Sequence, residues 1–196
     1  MFALWLYRIL HGKRFPLLKK LTLLCLFIFL GAVPSLAQDD YNKFEFYGGF
    51  SHNRVDVGGD REGIHGIELA VTGNVSRYFG LKADFAHHRK SFDFGGGDDL
   101  TFTGNTFVAG IQIKDNSKET KVKPFVHAML GGARVGFSGD GDGGSSTGFA
   151  GVFGGGIDIR AGKNVDIRIV QVDYNPTRIE GFTQHNFRVG IGIVFH

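Results

Sequence analysis

From Tyr41 to the C-terminus, apolar residues recur at every second position in eight separate runs. A period of two suits a strand with one buried face and is incompatible with an amphipathic helix. The runs are Lys43 to Val55, Ile64 to Ser76, Phe79 to Phe92, Thr101 to Lys114, Lys121 to Phe137, Gly148 to Arg160, Val165 to Asn175 and Gln184 to Phe195. The last is clear: Phe187, Val189, Ile191, Ile193 and Phe195 oppose Asn186, Arg188, Gly190 and Gly192. In the fifth, Val126, Ala128 and Leu130 alternate with Phe125, His127 and Met129, so either face could be the apolar one. The seventh starts with Val165, Ile167 and Ile169 on one side, then Gln171 and Asp173 continue that series, which predicts a bulge near Ile169 to Gln171.

Eight runs suit an all-β, eight-stranded antiparallel up-and-down barrel. The connections alternate in kind. Asp56 to Gly63, Asp93 to Leu100, Ser138 to Thr147 and Pro176 to Thr183 read as long polar links. Arg77-Tyr78, Asp115 to Thr120 and Ala161 to Asn164 read as tight ones. Long loops on one side and short turns on the other suit a transmembrane barrel with its short turns in the periplasm. Any extracellular partner, of identity unknown, would meet the long links near Asp60, Asp98, Asp140 and Arg178.

The segment before the first run belongs to export. Arg8, Lys13, Arg14, Lys19 and Lys20 precede the apolar run Leu21 to Leu30, and Ser35-Leu36-Ala37 forms a small-x-small site. This predicts a signal peptide over residues 1–37, cut after Ala37, and a barrel domain over 38–196. The apolar run is shorter than the ~20 residues a spanning helix needs. Five of the 22 Lys+Arg and none of the 19 Asp+Glu leave with it, so the processed chain carries 17 against 19. The basic balance of the whole chain therefore belongs to the leader and implies no nucleic-acid partner. Cys25 leaves as well, which excludes a disulfide from the processed protein. The 31 glycines of the whole chain recur too often for long helices.

What shares the non-apolar face separates a membrane barrel from a soluble one. Glu68, Lys82, Asp84, Asp158, Arg160 and Arg188 stand there with glycine and alanine. Phe and Ile from every strand are too bulky for a small lumen, whereas lipid accepts them without packing partners. The small and charged residues then turn inward, where acids and bases in near-equal number neutralise one another. The six form a lumen charge network that plugs the barrel. Two alternatives stay open: a narrow outer-membrane pore, if the interior charges are few or of one sign, and a soluble exported β-barrel binding a small apolar ligand.

Val71 to Phe85, Lys123 to Arg134 and the final alternation Phe187 to Phe195 resemble the outer membrane protein A-like and X-like superfamily of small β-barrels. The resemblance covers essentially the whole processed chain. It implies the cell outer membrane, with outer-membrane lipid and lipopolysaccharide as surroundings and the barrel-assembly machinery as the reader of the last strand. It departs at His196, which follows the aromatic Phe195 where such chains end on the aromatic. The processed length leaves no room for the periplasmic peptidoglycan-binding domain of some relatives.

Catalytic and metal chemistry find little support, so no enzyme, no cofactor and no metal site are expected. His52, His65, His87, His88, His127, His185 and His196 show no zinc spacing. His87 and His88 are adjacent on a strand and must point to opposite faces. Most of these histidines lie near strand ends. Ser138 to Gly144 lacks the bidentate Glu of a calcium loop. No helix follows Gly95-Gly96-Gly97 or Gly154-Gly155-Gly156 to hold a phosphate. Ser91 near His87 and Ser51 near His52 supply a hydrolase's nucleophile and base only on paper.

Overall fold

Alternation fixes which side of each strand is apolar, and ladder pairing fixes which strands are neighbours. The computed structural model describes residues 40–57, 60–93, 99–139 and 143–196. The leader over 1–37 lies outside the described residues, as do Asp98 and Asp140 of the expected links. The described strands are β1 (Phe44–Val57), β2 (Asp60–Asn74), β3 (Phe79–Asp93), β4 (Asp99–Lys114), β5 (Val122–Ser138), β6 (Gly143–Arg160), β7 (Val165–Ile179) and β8 (Phe182–Phe195). Each pairs antiparallel with the next, and β1 pairs with β8 to close the barrel. Closure gives every strand two hydrogen-bonded neighbours, which lipid cannot replace.

The two faces separate as the charges require. Phe153 and Ile191 are 42% and 53% exposed, while Asp158 is fully buried. Phe46, Leu69, Leu81, Phe107, Leu130, Phe149 and Val189 share the outward side, an apolar belt around the barrel. Such a belt contradicts the soluble alternative, because water would meet it on every strand. On β5, Phe125, His127 and Met129 are inside, and Val126 and Leu130 outside, which resolves the open phase. On β7 the ladder to β8 shifts between Arg168 and Gln171, and that to β6 between Ile157 and Asp158. The extra residue lets Asp166, Arg168, Gln171 and Asp173 all turn inward.

The links correct the sequence reading. Three of the four expected long loops are mostly strand: Val57 pairs with Asp60, Ser138 with Gly143, and Ile179 with Phe182. Strands of 14 to 18 residues exceed the ~9–11 needed to span a bilayer, so the hairpins continue past it. Their outer faces turn polar there, which breaks the alternation while the backbone ladder runs on. The β7–β8 connection is a two-residue turn with Glu180 at φ 52° and Gly181 at φ 88°, a conformation that a hairpin's twist favours.

The opposite end is tied together by the short turns. Arg77 donates from Nε and Nη2 to the two carboxylate oxygens of Asp115 at 2.9 and 3.1 Å, joining the β2–β3 turn to the β4–β5 turn. Asp115 also accepts from the Ser117 amide and the Thr120 hydroxyl. The Arg77 hydrogen bonds, first among these, hold the Asp115 carboxyl well below the usual range.

Candidate functional site: the barrel interior

An eight-stranded barrel has room inside for side chains and little else. The buried acids are Glu45, Glu68, Asp84, Asp158, Asp166 and Asp173; the buried full cations are Lys82, Lys114, Lys123, Arg168 and Arg188. They fall into two tiers along the barrel.

The middle tier centres on Arg188. Its Nη1 donates to Asp84 at 3.1 Å, its Nε and Nη2 to Asp173 at 3.0 and 2.7 Å, and Nη2 lies 3.3 Å from Glu68. One guanidinium from β8 thus joins carboxylates of β2, β3 and β7, as a planar fork with five donors allows. Lys82 lies 3.8 Å from Asp84 and 3.4 Å from His127 Nδ1, and the other His127 nitrogen meets Asp173 at 2.9 Å. Gln171 donates to Glu68 at 2.8 Å and Asp173 at 2.7 Å.

The tier nearer the short turns centres on Asp158. Arg168 donates to it from Nε at 2.8 Å and from Nη2 at 3.0 Å, a bidentate pair. Lys114 bridges Asp158 and Glu45, and Lys123 donates to Asp166 at 2.7 Å. The Arg168 guanidinium is held between two aromatic faces, 4.2 Å from the Tyr47 centroid and 4.1 Å from that of Phe125. Arg168 also donates to Gln171 at 2.6 Å, so the tiers are linked through one amide. Glycines make room for the rings. A Cβ on Gly192 would stand 2.7 Å from Tyr47, and one on Gly156 2.9 Å from Phe125.

Of the residues singled out from sequence, Glu68, Lys82, Asp84, Asp158 and Arg188 are all buried on the inner face. Arg160 sits apart at the lower mouth, with a side chain 19% exposed, donating to the Ser117 carbonyl and 3.9 Å from Asp166. The interior also holds Glu45, Lys114, Lys123, Asp166, Arg168, Gln171 and Asp173, which the sequence reading did not include. Asp173 and Gln171 lie beyond the bulge. Lys123 and His127 lie on β5, whose inner face mixes aromatic, thioether and charge, so His127 is mid-barrel and not at a strand end. Asp166 and Arg168 alternate cleanly with Ile167, a signal that was available.

Part of the inner wall from β4, β5 and β6 is apolar, built by Val108, Met129, Ala133, Ala150 and Val152. His87 and His88 diverge: His87 meets Asn105 at 2.8 Å, and His88 Nε2 meets Ser51 Oγ at 2.9 Å inside. Ser51 therefore pairs with His88, not with the neighbouring His52. Among the described residues no group of three or more His, Cys, Asp and Glu suits a metal ion.

A model of the outer membrane protein beta-barrel domain matches residues 23–195. Among solved structures, Neisserial surface protein A aligns with a TM-score of 0.64 at 13% identity, over 79% of this chain and 97% of that one. Ail, the attachment invasion locus protein of Yersinia pestis, solved in complex with the heparin analogue sucrose octasulfate, aligns with a TM-score of 0.58 at 18% identity, over 78% and 97%. At these identities the likeness shows a shared barrel. No curated protein matches the sequence.

Proposed function

Because the chain belongs to the outer membrane protein beta-barrel domain family, we propose that it is a barrel with a structural or surface-interaction role, its lumen plugged by the charged network and without catalysis. The protein resides in the cell outer membrane, as its family does. The observation that carries the plug is the Arg188 cluster, in which one cation is hydrogen-bonded to Asp84 and Asp173 and paired with Glu68 at mid-barrel. An ion crossing there would have to break charge-assisted bonds in a site from which water is excluded. Residues 1–37 are the leader in this reading, and the Phe187 to Phe195 alternation is what the barrel-assembly machinery reads.

Lipopolysaccharide is the proposed neighbour in the outer leaflet. In support, Arg54, Arg89, Arg134 and Arg178 all face outward near the far ends of β1, β3, β5 and β7, where the apolar belt gives way. Guanidinium groups at headgroup height suit lipid phosphates. The surface role is open to a polyanion as well, since Ail, of the same fold, was solved with a sulfated sugar.

Planar-bilayer recording tests the plug. The expected trace shows no steady channels across physiological salt. Large, persistent single-channel currents would replace this reading with the narrow pore.

A further inference from the structure

Above the charged tiers the inner face changes character. On the strand ends away from the short turns, inward positions hold Val55, Ile64, Phe102, Val135, Phe137 and Ile179, which line a cavity of about 810 Å³. On β2, Ile64 stands four residues beyond Glu68, or about 13 Å of strand. An ordinary hairpin beyond the membrane is polar on both faces. Here the outside carries Arg54, Arg89, Arg134 and Arg178 while the inside is aliphatic and aromatic, the reverse of what a water-filled mouth needs. Val55 and Ile64 are buried at its depth, and Phe102 meets Phe137 edge-on with centroids 5.2 Å apart. Beneath them the inner face turns polar, to the Ser51–His88 pair and then Arg188.

The volume falls within the range of small-molecule sites, roughly 300–1,000 Å³. The rim carries two carboxylates: Glu62, paired with Lys90 at 2.6 Å, and Glu180, which accepts from the Ser146 hydroxyl. Since Lys90 neutralises Glu62, it is the apolar wall below the rim, which offers a charge no partner, that disfavours an anionic guest.

The geometry points to this cup as a binding site for one neutral apolar molecule with a short polar end, an alkanol or small aromatic, captured from the outer medium. The guest stops there, because the polar floor offers it no favourable way onward. The site goes beyond the plugged-lumen reading, which conductance tests separately.

The full-length protein with ¹³C-labelled methyl groups, in phosphatidylcholine nanodiscs, is titrated with 1-decanol and, in parallel, with sodium decanoate at pH 8. With decanol, the Ile64, Val135 and Ile179 methyl resonances shift and saturate, while lipid-facing Ile191 and Ile193 drift only in proportion to bilayer loading. Decanoate binds more weakly by roughly tenfold or more, and Val135→Glu, at a half-exposed position, weakens decanol to a similar degree. Retained heat-modifiable migration on gels shows that this variant is folded. Unmoved Ile64 and Ile179 resonances, or shifts that never saturate and parallel those of Ile191, overturn the site. Equal saturation by decanoate overturns its preference for neutral guests.

Discussion

Arg188 is the residue on which most of the interior depends. Removing one partner from a buried, hydrogen-bonded charge cluster leaves the others uncompensated, at a cost of about 3–5 kcal/mol. Arg188→Ala is therefore expected to lower the unfolding free energy of the detergent-folded barrel, read from urea titration, by that amount, and an unchanged free energy would mean that the cluster contributes nothing. Lys123 and Asp166 make a simpler pair. Lys123→Met alone should destabilise more than Lys123→Met combined with Asp166→Leu, since the double change removes both charges together. At the turns, the carboxyl of Asp115 is depressed in the folded state, chiefly by its Arg77 hydrogen bonds. Its contribution is present above the unfolded value, near ~3.9, and fades as pH falls through the lower folded value. Arg77→Gln should move the Asp115 titration up toward the ordinary carboxylate range, as followed by carboxyl-carbon NMR.

Among the elements, β7 carries the greatest constraint, because its bulge brings both Arg168 and Asp173 inside. Deleting Val170 would set Arg168 and Gln171 two residues apart, the regular spacing that keeps both of those charges inward, so the variant should retain heat-modifiable migration. A deletion variant that fails to fold would show that the bulge itself is required. The outward arginines form a second element-scale feature. Replacing Arg54, Arg89, Arg134 and Arg178 together with Gln should reduce co-purifying lipopolysaccharide while leaving the urea midpoint nearly unchanged. Strand order and the inward set on β2, β3 and β8 were legible because Glu68, Asp84 and Arg188 alternate with unbroken apolar partners. The phase of β5 was not, since Phe125 and Met129 are apolar residues placed inside. The extended hairpins were hidden because polar outer faces above the membrane look like loop. Yet the apolar positions Val55, Ile64, Phe102 and Phe137 keep the inward phase, and Glu180-Gly181 is a turn signal read too broadly.

For the whole molecule, one sidedness accounts for the closed sheet, the membrane belt and the buried ions together. Charges stay inside because they neutralise one another there, and Phe and Ile stay outside because hydrocarbon needs no complementary packing. Tryptophan scanning in vesicles of brominated lipid reads that sidedness directly. In a chain whose Trp5 is replaced by Phe, single tryptophans are placed at Phe153, Ile191 and Phe125. The account predicts strong quenching of Phe153→Trp and Ile191→Trp and little of Phe125→Trp; quenching of the Phe125 position alone, or of all three alike, would contradict it.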